Sequence, residues 1–280
     1  MSDLKNIISV KDLMIGIKNE DGNDYRFKIN YGSFEVNKGD FVLLKGHNGS
    51  GKSTFLKLFH LQGVNYFKVI NGGIYFNDDK FNKDSIHEFP SNELTKLNCA
   101  ISFIGQEEIF LSSDSAYSYI YNTCKYALSI YNYSAKEIKE KLDLIDKMIF
   151  EYYDKYLINS FQTKNYKIFK NKNIKAWSGG QQKMINVLAG IIKAKICNLH
   201  LVLMDEPLNN LDGLNKNILN KLIEDLMSTN EVAIIAITHC QIFKNVNKVL
   251  TIGELEDSVR SAKLEERKDN PHLECLESYN

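Results

Sequence analysis

A short apolar run that stops at a glycine-rich loop constrains this fold most strongly. The run covers residues 41–44, a length that suits a buried strand better than a helix. Apolar residues at Phe55, Leu56 and Phe59 then predict a helix over residues 53–60 that packs on a sheet. The loop between them reads Gly46-His47-Asn48-Gly49-Ser50-Gly51-Lys52-Ser53-Thr54. A strand, a glycine loop and a helix in this order predict an α/β fold.

The glycine loop has the G-x-x-x-x-G-K-[ST] spacing of a phosphate-binding loop. Its glycines let successive N–H groups point inward at phosphate oxygens, and the helix N-terminus adds partial positive charge. We expect Lys52 to reach the β- and γ-phosphates of a nucleotide and the Ser53 hydroxyl to complete the coordination of Mg²⁺. An ordinary glycine-rich turn is the alternative, and the flanking strand and helix disfavour it.

Short strands fill the first third of the chain, and strands alternate with helices in the last third. The early strands are bounded by Gly, Asn and Asp, at residues 7–10, 13–17, 25–29, 33–36, 73–76 and 101–104. After Trp177 we expect a helix, a strand, a helix and two strands, at residues 184–195, 199–204, 215–227, 232–238 and 249–252. This alternation predicts a mainly parallel sheet covered by helices.

The middle and the end of the chain have different patterns. Between about residues 115 and 175, apolar side chains such as Ile138, Leu142 and Ile145 recur every three or four positions, with Lys and Glu between them. This spacing predicts amphipathic helices. From about Glu254 onward the residues are charged, and we expect at most a short helix or a disordered tail.

Composition limits the class of protein. At 280 residues and 44% hydrophobic side chains, the chain can bury one large core, or a core and a subdomain. Its 35 basic and 35 acidic residues cancel, which disfavours nucleic acid as the main partner. The apolar runs are far shorter than the roughly 18 residues of a membrane span, and the first residues lack a signal-peptide pattern. We therefore expect a chain that is soluble by itself.

The five cysteines are odd in number and are not at metal-ligand spacing. We expect reduced thiols that fill small apolar spaces in a cytosolic protein, at Cys99, Cys124, Cys197, Cys240 and Cys275. Abundant Lys, Asn and Ile are typical of an AT-rich bacterial genome.

Two further segments carry chemistry. The run at residues 199–204 ends in Asp205 and Glu206, and carboxylates that follow a buried strand can hold a metal ion and a water molecule. We expect Asp205 to hold Mg²⁺ through its water shell and Glu206 to act as general base. The turn Ser178-Gly179-Gly180-Gln181 lets backbone N–H groups approach a phosphate. Taken alone, the carboxylates could be solvated strand ends, and Ser178 could simply cap the next helix.

These motifs, in this order, resemble those of the nucleotide-binding subunit of an ATP-binding cassette (ABC) ATPase, across nearly all of residues 1–253. Residues 46–54 are similar to the Walker A loop of that family and residues 199–206 to its Walker B strand. Residues 178–181 resemble the signature motif, and residues 208–212 resemble the D-loop.

The resemblance also assigns single residues. Gln106 is similar to the Q-loop glutamine that senses Mg²⁺ and water, and His239 to the switch histidine that contacts the γ-phosphate. Tyr25 is our candidate for the aromatic ring that stacks on adenine, with Phe27 and Tyr31 as close alternatives. Judged alone, a glutamine at a surface, a histidine at a strand end or a tyrosine in a strand is more often structural.

The resemblance implies a P-loop NTPase core with an N-terminal antiparallel β subdomain and an inserted α-helical subdomain at about residues 107–183. The ABC ATPase domain would end at residue 253, and residues 254–280 would form a short charged tail. Trp177 departs from the family, in which a leucine usually leads the signature motif. The intervals from the Walker A loop to Gln106 and from there to the signature are also longer than is common.

ATP, Mg²⁺ and ATP hydrolysis are implied as well. In the family, the signature of one subunit binds the γ-phosphate held by the phosphate loop of another, so we expect a dimer, and a homodimer because each chain has both halves. A separate transmembrane permease is the second expected partner, with the ATPase peripheral on the cytoplasmic face of the membrane and no nucleic acid bound. The segment at residues 107–111 follows the Q-loop, where transporter partners of this family commonly dock, and its apolar side chains suit that contact. Residues 106–111 resemble the corresponding segment of exporters, which favours export of a peptide or similar molecule.

Two other roles could use the same ATPase. One is a soluble assembly machine, such as the cassette protein of iron–sulfur cluster biogenesis, which works with cytosolic scaffolds. The other is a DNA-associated ATPase, which is disfavoured because such proteins interrupt the cassette with long coiled coils and this sequence has none.

Overall fold

The computed structural model describes residues 6–19, 24–59, 66–77, 84–106, 110–111, 113–131, 133–229, 231–239 and 243–267. The chain divides into two compact units. The first unit combines Met1–Asn98 with Asn230–Asn280, and the second unit is Cys99–Thr229.

Strands and helices follow one another along both units. In chain order they are β1 (Asn6–Lys18), β2 (Tyr25–Asn37), β3 (Phe41–Lys45), α1 (Lys52–Leu58), β4 (Phe67–Phe76), α2 (Ser91–Ala100), β5 (Ile101–Ile104), α3 (Ala116–Leu128), α4 (Ala135–Tyr152), α5 (Ile158–Phe161), α6 (Tyr166–Asn171), α7 (Gly179–Ile196), β6 (Leu201–Asp205), α8 (Gly213–Met227), β7 (Ala233–Ile237), β8 (Lys248–Glu256) and β9 (Val259–Glu266).

The strands of the first unit lie in the order β4-β1-β2-β9-β8-β3-β7. β1 pairs with β2 and β4 in antiparallel fashion, which is the expected N-terminal antiparallel sheet. β3 lies parallel to both β7 and β8, as the alternating pattern predicts for a nucleotide-binding core. β3 and β7 consist of buried apolar side chains apart from the last residue of β3, Lys45. The phosphate-loop sequence therefore leaves the end of a central, buried strand.

Bulges make β1 and β2 longer than the sequence predicts. Each was expected as two short strands, and in each the two halves form one continuous strand. In β1 the register shifts near Asp12, which has a φ of 44°, and in β2 Gly32 has a φ of 67°. The Asp12 N–H donates to Ser33 Oγ, and the Ser33 hydroxyl donates to Asp12 Oδ1, both at 2.8 Å. These polar residues therefore absorb an extra residue within the sheet instead of ending the strand.

The expected short helix or disordered tail after residue 253 is wrong for residues 254–267. β8 continues to Glu256, turns at Asp257 and Ser258, and returns as β9, which pairs with both β8 and β2. Exposed charged residues alternate along this hairpin because its strands are solvated on one face. In the sequence, this pattern of charged residues resembles a charged tail. Residues 268–280 lie outside the described residues.

The second unit contains the expected helical region, α3 to α6, between the parallel strands β5 and β6. Two of its helices begin at capping boxes, in which Ser115 and Ser134 exchange hydrogen bonds with the residue three positions later. A π-helical turn at Tyr153–Leu157 joins α4 to α5. α2 was not predicted from the sequence. Among the helices that the structure describes, none has the length and apolar character to cross a membrane.

Candidate nucleotide-binding site

The phosphate loop connects β3 to α1 through glycines in conformations that other residues avoid. Gly46, Gly49 and Gly51 have φ values of 149°, 73° and 105°. A Cβ on Gly46 would lie 2.6 Å from Ser50 Oγ and 2.9 Å from the carbonyl oxygen of Ile252. The loop can therefore form its tight wrap only with glycine at these positions.

The side chain of Lys52 reaches back to the start of the phosphate loop. Its side chain is only 8% exposed, and its Nζ donates to the carbonyl oxygens of Gly46 at 2.8 Å and His47 at 3.0 Å. Phosphate oxygens can replace these carbonyl acceptors with stronger, charge-assisted hydrogen bonds. Ser50 Oγ is buried and makes no hydrogen bond to any described residue, so the loop also holds an unused polar group. Ser53 and Thr54 follow in the first turn of α1.

His239, the expected switch histidine, lines the same cleft as the phosphate loop. This cleft has a volume of about 520 Å³ and is lined by Gly46, His47, Asn48, His239, Thr251, Ile252, Gly253 and Glu254. His47 Nε2 lies 2.7 Å from a carboxylate oxygen of Glu254, and both side chains are exposed. The sequence assigned Glu254 to a tail and missed its place here, because only the pairing of β8 with β3 brings it to the loop.

The three aromatic candidates for adenine stacking have different surroundings. Tyr25 begins β2, and its ring packs over Gly16. The ring atom Cδ1 lies 2.4 Å from the position that a Cβ on Gly16 would take. Phe27 has the Arg260 guanidinium 5.5 Å from its ring centroid. Tyr31 is fully buried, so its ring cannot stack on a nucleotide base. Tyr25 therefore stays our prediction, and Tyr31 is removed from the alternatives.

Asp205 and Glu206 stand at the end of β6 in the second unit. Every residue of β6 is buried, and Asp205 and Glu206 are only 5% and 8% exposed. Glu206 has a φ of 51°, so the chain turns sharply as it leaves the strand. Buried carboxylates on a constrained backbone are a costly arrangement that functional sites often contain.

The signature turn begins α7. Ser178 caps this helix, since its Oγ accepts from the Gln181 N–H at 3.3 Å while Gln181 Oε1 accepts from the Ser178 N–H at 3.0 Å. A Cβ on Gly179 would meet no described heavy atom within 4 Å, so a ligand has room to approach the backbone. A Cβ on Gly180 would lie 3.2 Å from the carbonyl oxygen of Asn210, which belongs to the D-loop sequence. The structure thus brings the signature and the D-loop sequence together.

Gln106 follows β5, and a lysine of α7 holds its backbone. Lys183 Nζ donates to the carbonyl oxygens of Gly105 at 2.7 Å and Gln106 at 3.1 Å. The side chain of Gln106 is exposed. Trp177, the unusual residue before the signature, is buried against Phe161 with ring centroids 4.8 Å apart. Trp177 therefore packs within the helical region.

Ser53, Gln106 and Asp205 offer hydroxyl, amide and carboxylate oxygens, the hard donors that Mg²⁺ prefers. Among the described residues, no group of three or more His, Cys, Asp or Glu could hold a metal ion by itself. Each of these oxygens is of the kind that Mg²⁺ accepts beside water and phosphate oxygens.

The predicted site residues thus form two groups. The first unit holds the phosphate loop, His239 and Tyr25, and the second unit holds Gln106, the carboxylates and the signature. A family model described as ABC transporter matches residues 29–209 of the chain. The chain belongs to the ABC transporter family.

Named relatives agree with this assignment. An energy-coupling factor transporter ATP-binding protein EcfA1 from Streptococcus sanguinis is 23% identical over 273 residues, 96% of this chain and 85% of the relative. A lipoprotein-releasing system ATP-binding protein LolD from Leptospira interrogans is 25% identical over 245 residues, 82% of this chain and 88% of the relative. This ABC family member is therefore the ATP-binding subunit of a transporter, and it hydrolyses ATP.

Solved structures show the same fold. The ATP-binding cassette MJ0796, solved as a dimer in a post-hydrolysis state with ADP and phosphate bound, superposes with a TM-score of 0.63 and 20% identity. The match covers 93% of this chain and 98% of that one. The expected α/β P-loop NTPase core of an ABC ATPase is confirmed.

Proposed function

We propose that this ABC subunit powers transport through a separate membrane subunit by dimerising around ATP. The observation that supports the proposal is that the chain contains one phosphate-loop cleft and one signature turn. The cleft at Gly46 and His239 can hold ATP phosphates, while the open backbone at Gly179 can approach a phosphate held by another molecule. Two copies would then complete two sites, as a homodimer, and MJ0796 was solved as a dimer.

Each residue has a role in the proposed cycle. The loop N–H groups and Lys52 bind the ATP phosphates, and His239 contacts the γ-phosphate. Ser53, Gln106 and Asp205 would hold Mg²⁺, which neutralises developing charge on the phosphates. Glu206 accepts a proton from the attacking water. Residues 178–181 of the second subunit close on the γ-phosphate. Because hydrolysis cleaves off that phosphate, the two subunits separate, and this cycle of closing and opening drives the membrane subunit.

The membrane partner is proposed to dock next to Gln106, with the ATPase on the cytoplasmic face of the membrane. Residues 107–109 lie outside the described residues, but Phe110 and Leu111 support an apolar contact with the membrane partner. Phe110 packs edge-on against Tyr119 with ring centroids 4.8 Å apart, and the side chain of Leu111 is 68% exposed. A peptide or similar molecule, moved outward, remains our proposed cargo class.

Recovery of the partner tests this proposal. The tagged chain, purified from detergent-solubilised membranes, should bring down a multi-span membrane protein, and that protein should raise its ATPase rate. Leu111→Glu should weaken recovery, whereas Leu144→Glu, which changes an equally apolar exposed residue on α4, should not. Recovery of cytosolic scaffold proteins alone would contradict the transporter role and favour the assembly ATPase.

A further inference from the structure

Tyr31 of β2 lies buried against the phosphate loop. Its side chain is 1% exposed, and its ring lies 4.9 Å from the ring of Phe55 on α1. The Tyr31 hydroxyl donates to the carbonyl oxygen of Gly51 at 3.1 Å. Burial, with a smaller effect of Tyr66, raises the pKa of Tyr31 well above its ordinary value. The hydroxyl therefore stays protonated and is a permanent donor.

Gly51 is held from two sides. Its φ is 105°, and Ile29 Cδ1 lies 2.1 Å from the position that a Cβ on Gly51 would take. Its carbonyl oxygen accepts from the Phe55 N–H at 3.0 Å as well as from Tyr31. The backbone bond forms the first turn of α1, while the tyrosine bond comes from a different element of the sheet.

The direction of this carbonyl fixes the next amide. In a trans peptide the C=O and the following N–H point in opposite directions, and no described peptide bond is cis. Holding the Gly51 carbonyl against Tyr31 therefore aims the Lys52 N–H away from β2. Lys52 is the lysine of the phosphate-loop spacing, in which successive loop N–H groups are expected to face phosphate oxygens.

We infer that Tyr31 is a positioning residue for the nucleotide, whose hydroxyl sets the peptide between Gly51 and Lys52 so that the Lys52 amide faces a phosphate. The inference rests on the proposed phosphate role of the loop. Tyr31 would act on phosphate binding indirectly, through its hydrogen bond to the Gly51 carbonyl oxygen, and not by stacking on adenine.

Tyr31→Phe tests the inference, because it removes only the hydroxyl and leaves the ring on Phe55. We expect the dissociation constants of ATP, ADP and inorganic tripolyphosphate to rise together by about three- to ten-fold, the effect of one lost hydrogen bond. In steady-state hydrolysis KM should rise while kcat stays near the wild-type value, because ground state and transition state lose the same contact. Titration calorimetry and ATPase assays measure these quantities.

Tyr153→Phe is the matched control. Tyr153 is also 1% exposed, its hydroxyl donates to the carbonyl oxygen of Thr163 at 2.5 Å, and its ring packs on Phe169. This variant should lose thermal stability to a similar extent and keep all three dissociation constants.

Two results would overturn the inference. One is nucleotide binding by Tyr31→Phe that matches the wild type or the Tyr153→Phe control. The other is weaker binding of ATP and ADP without weaker binding of tripolyphosphate, which would mean that Tyr31 acts on the base or ribose. Failure of the wild-type chain to bind ATP would instead overturn the proposed function itself.

Discussion

Glu206 combines burial, negative charge and a backbone conformation that residues other than glycine seldom adopt. It is 8% exposed with a φ of 51°. A strained backbone of this kind costs on the order of 1–3 kcal/mol and persists where the surroundings over-determine it. The turn after β6 therefore limits where the carboxylate can point, which suits a group that must align an attacking water molecule.

Replacing this carboxylate by its amide should separate binding from hydrolysis. Glu206→Gln keeps the shape of the side chain but cannot accept a proton, so we expect hydrolysis to slow by about 10²- to 10⁴-fold while ATP still binds. Nucleotide titration and steady-state phosphate release measure the two effects. Glu151→Gln, at an exposed glutamate of α4, should leave both unchanged. A wild-type hydrolysis rate in Glu206→Gln would exclude Glu206 as general base.

From the sequence, the phosphate-loop residues could be predicted better than the residues that pack around the loop. Gly46 and Lys52 could be identified because their spacing is the one that a phosphate-binding loop requires. The roles of Tyr31 and Glu254 depend on strand pairing between segments far apart in the chain, for which the sequence gives no local pattern. Tyr31 sits among several aromatic residues of one strand, so periodicity alone could not separate it from Tyr25.

At the level of elements, Asp225 joins three helices of the second unit. From α8 it accepts a hydrogen bond from the Tyr152 hydroxyl of α4 at 2.5 Å and one from Lys195 Nζ of α7 at 2.6 Å. Burial by itself raises the pKa of Asp225, but the hydrogen bonds from Lys195 and Tyr152 outweigh it, so the pKa lies below its ordinary value of 3.8.

This lowered pKa fixes the sign of a pH effect. Because the folded state favours the charged form, the contribution to stability is complete above pH 3.8 and is lost as the pH falls through the lower folded pKa. Asp225→Asn should therefore lower Tm by about 2–4 °C between pH 5 and 7, as expected for about 1 kcal/mol at a partly exposed pair. The difference should shrink below pH 3.8.

Thermal unfolding across this pH range provides the measurement. Asp143→Asn, at an exposed position of α4, is the control and should change Tm little at any pH. A Tm difference for Asp225→Asn that grows as the pH falls would contradict this account of the helix junction.

The elements that the sequence predicted well are those whose pattern is local. β5 matches its predicted limits, and α8 begins two residues before its predicted start, where Asp212 caps it. The β8–β9 hairpin was missed because exposed strands with charged residues on one face resemble a solvated tail. The joined halves of β1 were missed because a bulge at Asp12 uses the same residue types as a turn.

At the scale of the whole molecule, each chain has a phosphate loop and a signature turn, and we propose that a complete site needs both from different copies. The loop cleft includes His239. The signature turn is capped by Ser178 and has open space at Gly179. Because Ser178 already has a structural role as a cap, a test must keep the cap and change only the approach of phosphate.

Sedimentation of the Glu206→Gln variant with and without Mg-ATP tests the central claim most directly. We predict a monomer without ATP and a dimer with it, because hydrolysis can no longer release the closed state. Adding Ser178→Asp should abolish the dimer, since aspartate still caps α7 but its carboxylate repels the phosphate of the partner. The matched change at another helix cap, Ser134→Asp, should leave the dimer intact. An ATP-dependent dimer that survives Ser178→Asp, or a Glu206→Gln variant that binds ATP and stays monomeric, would contradict the account.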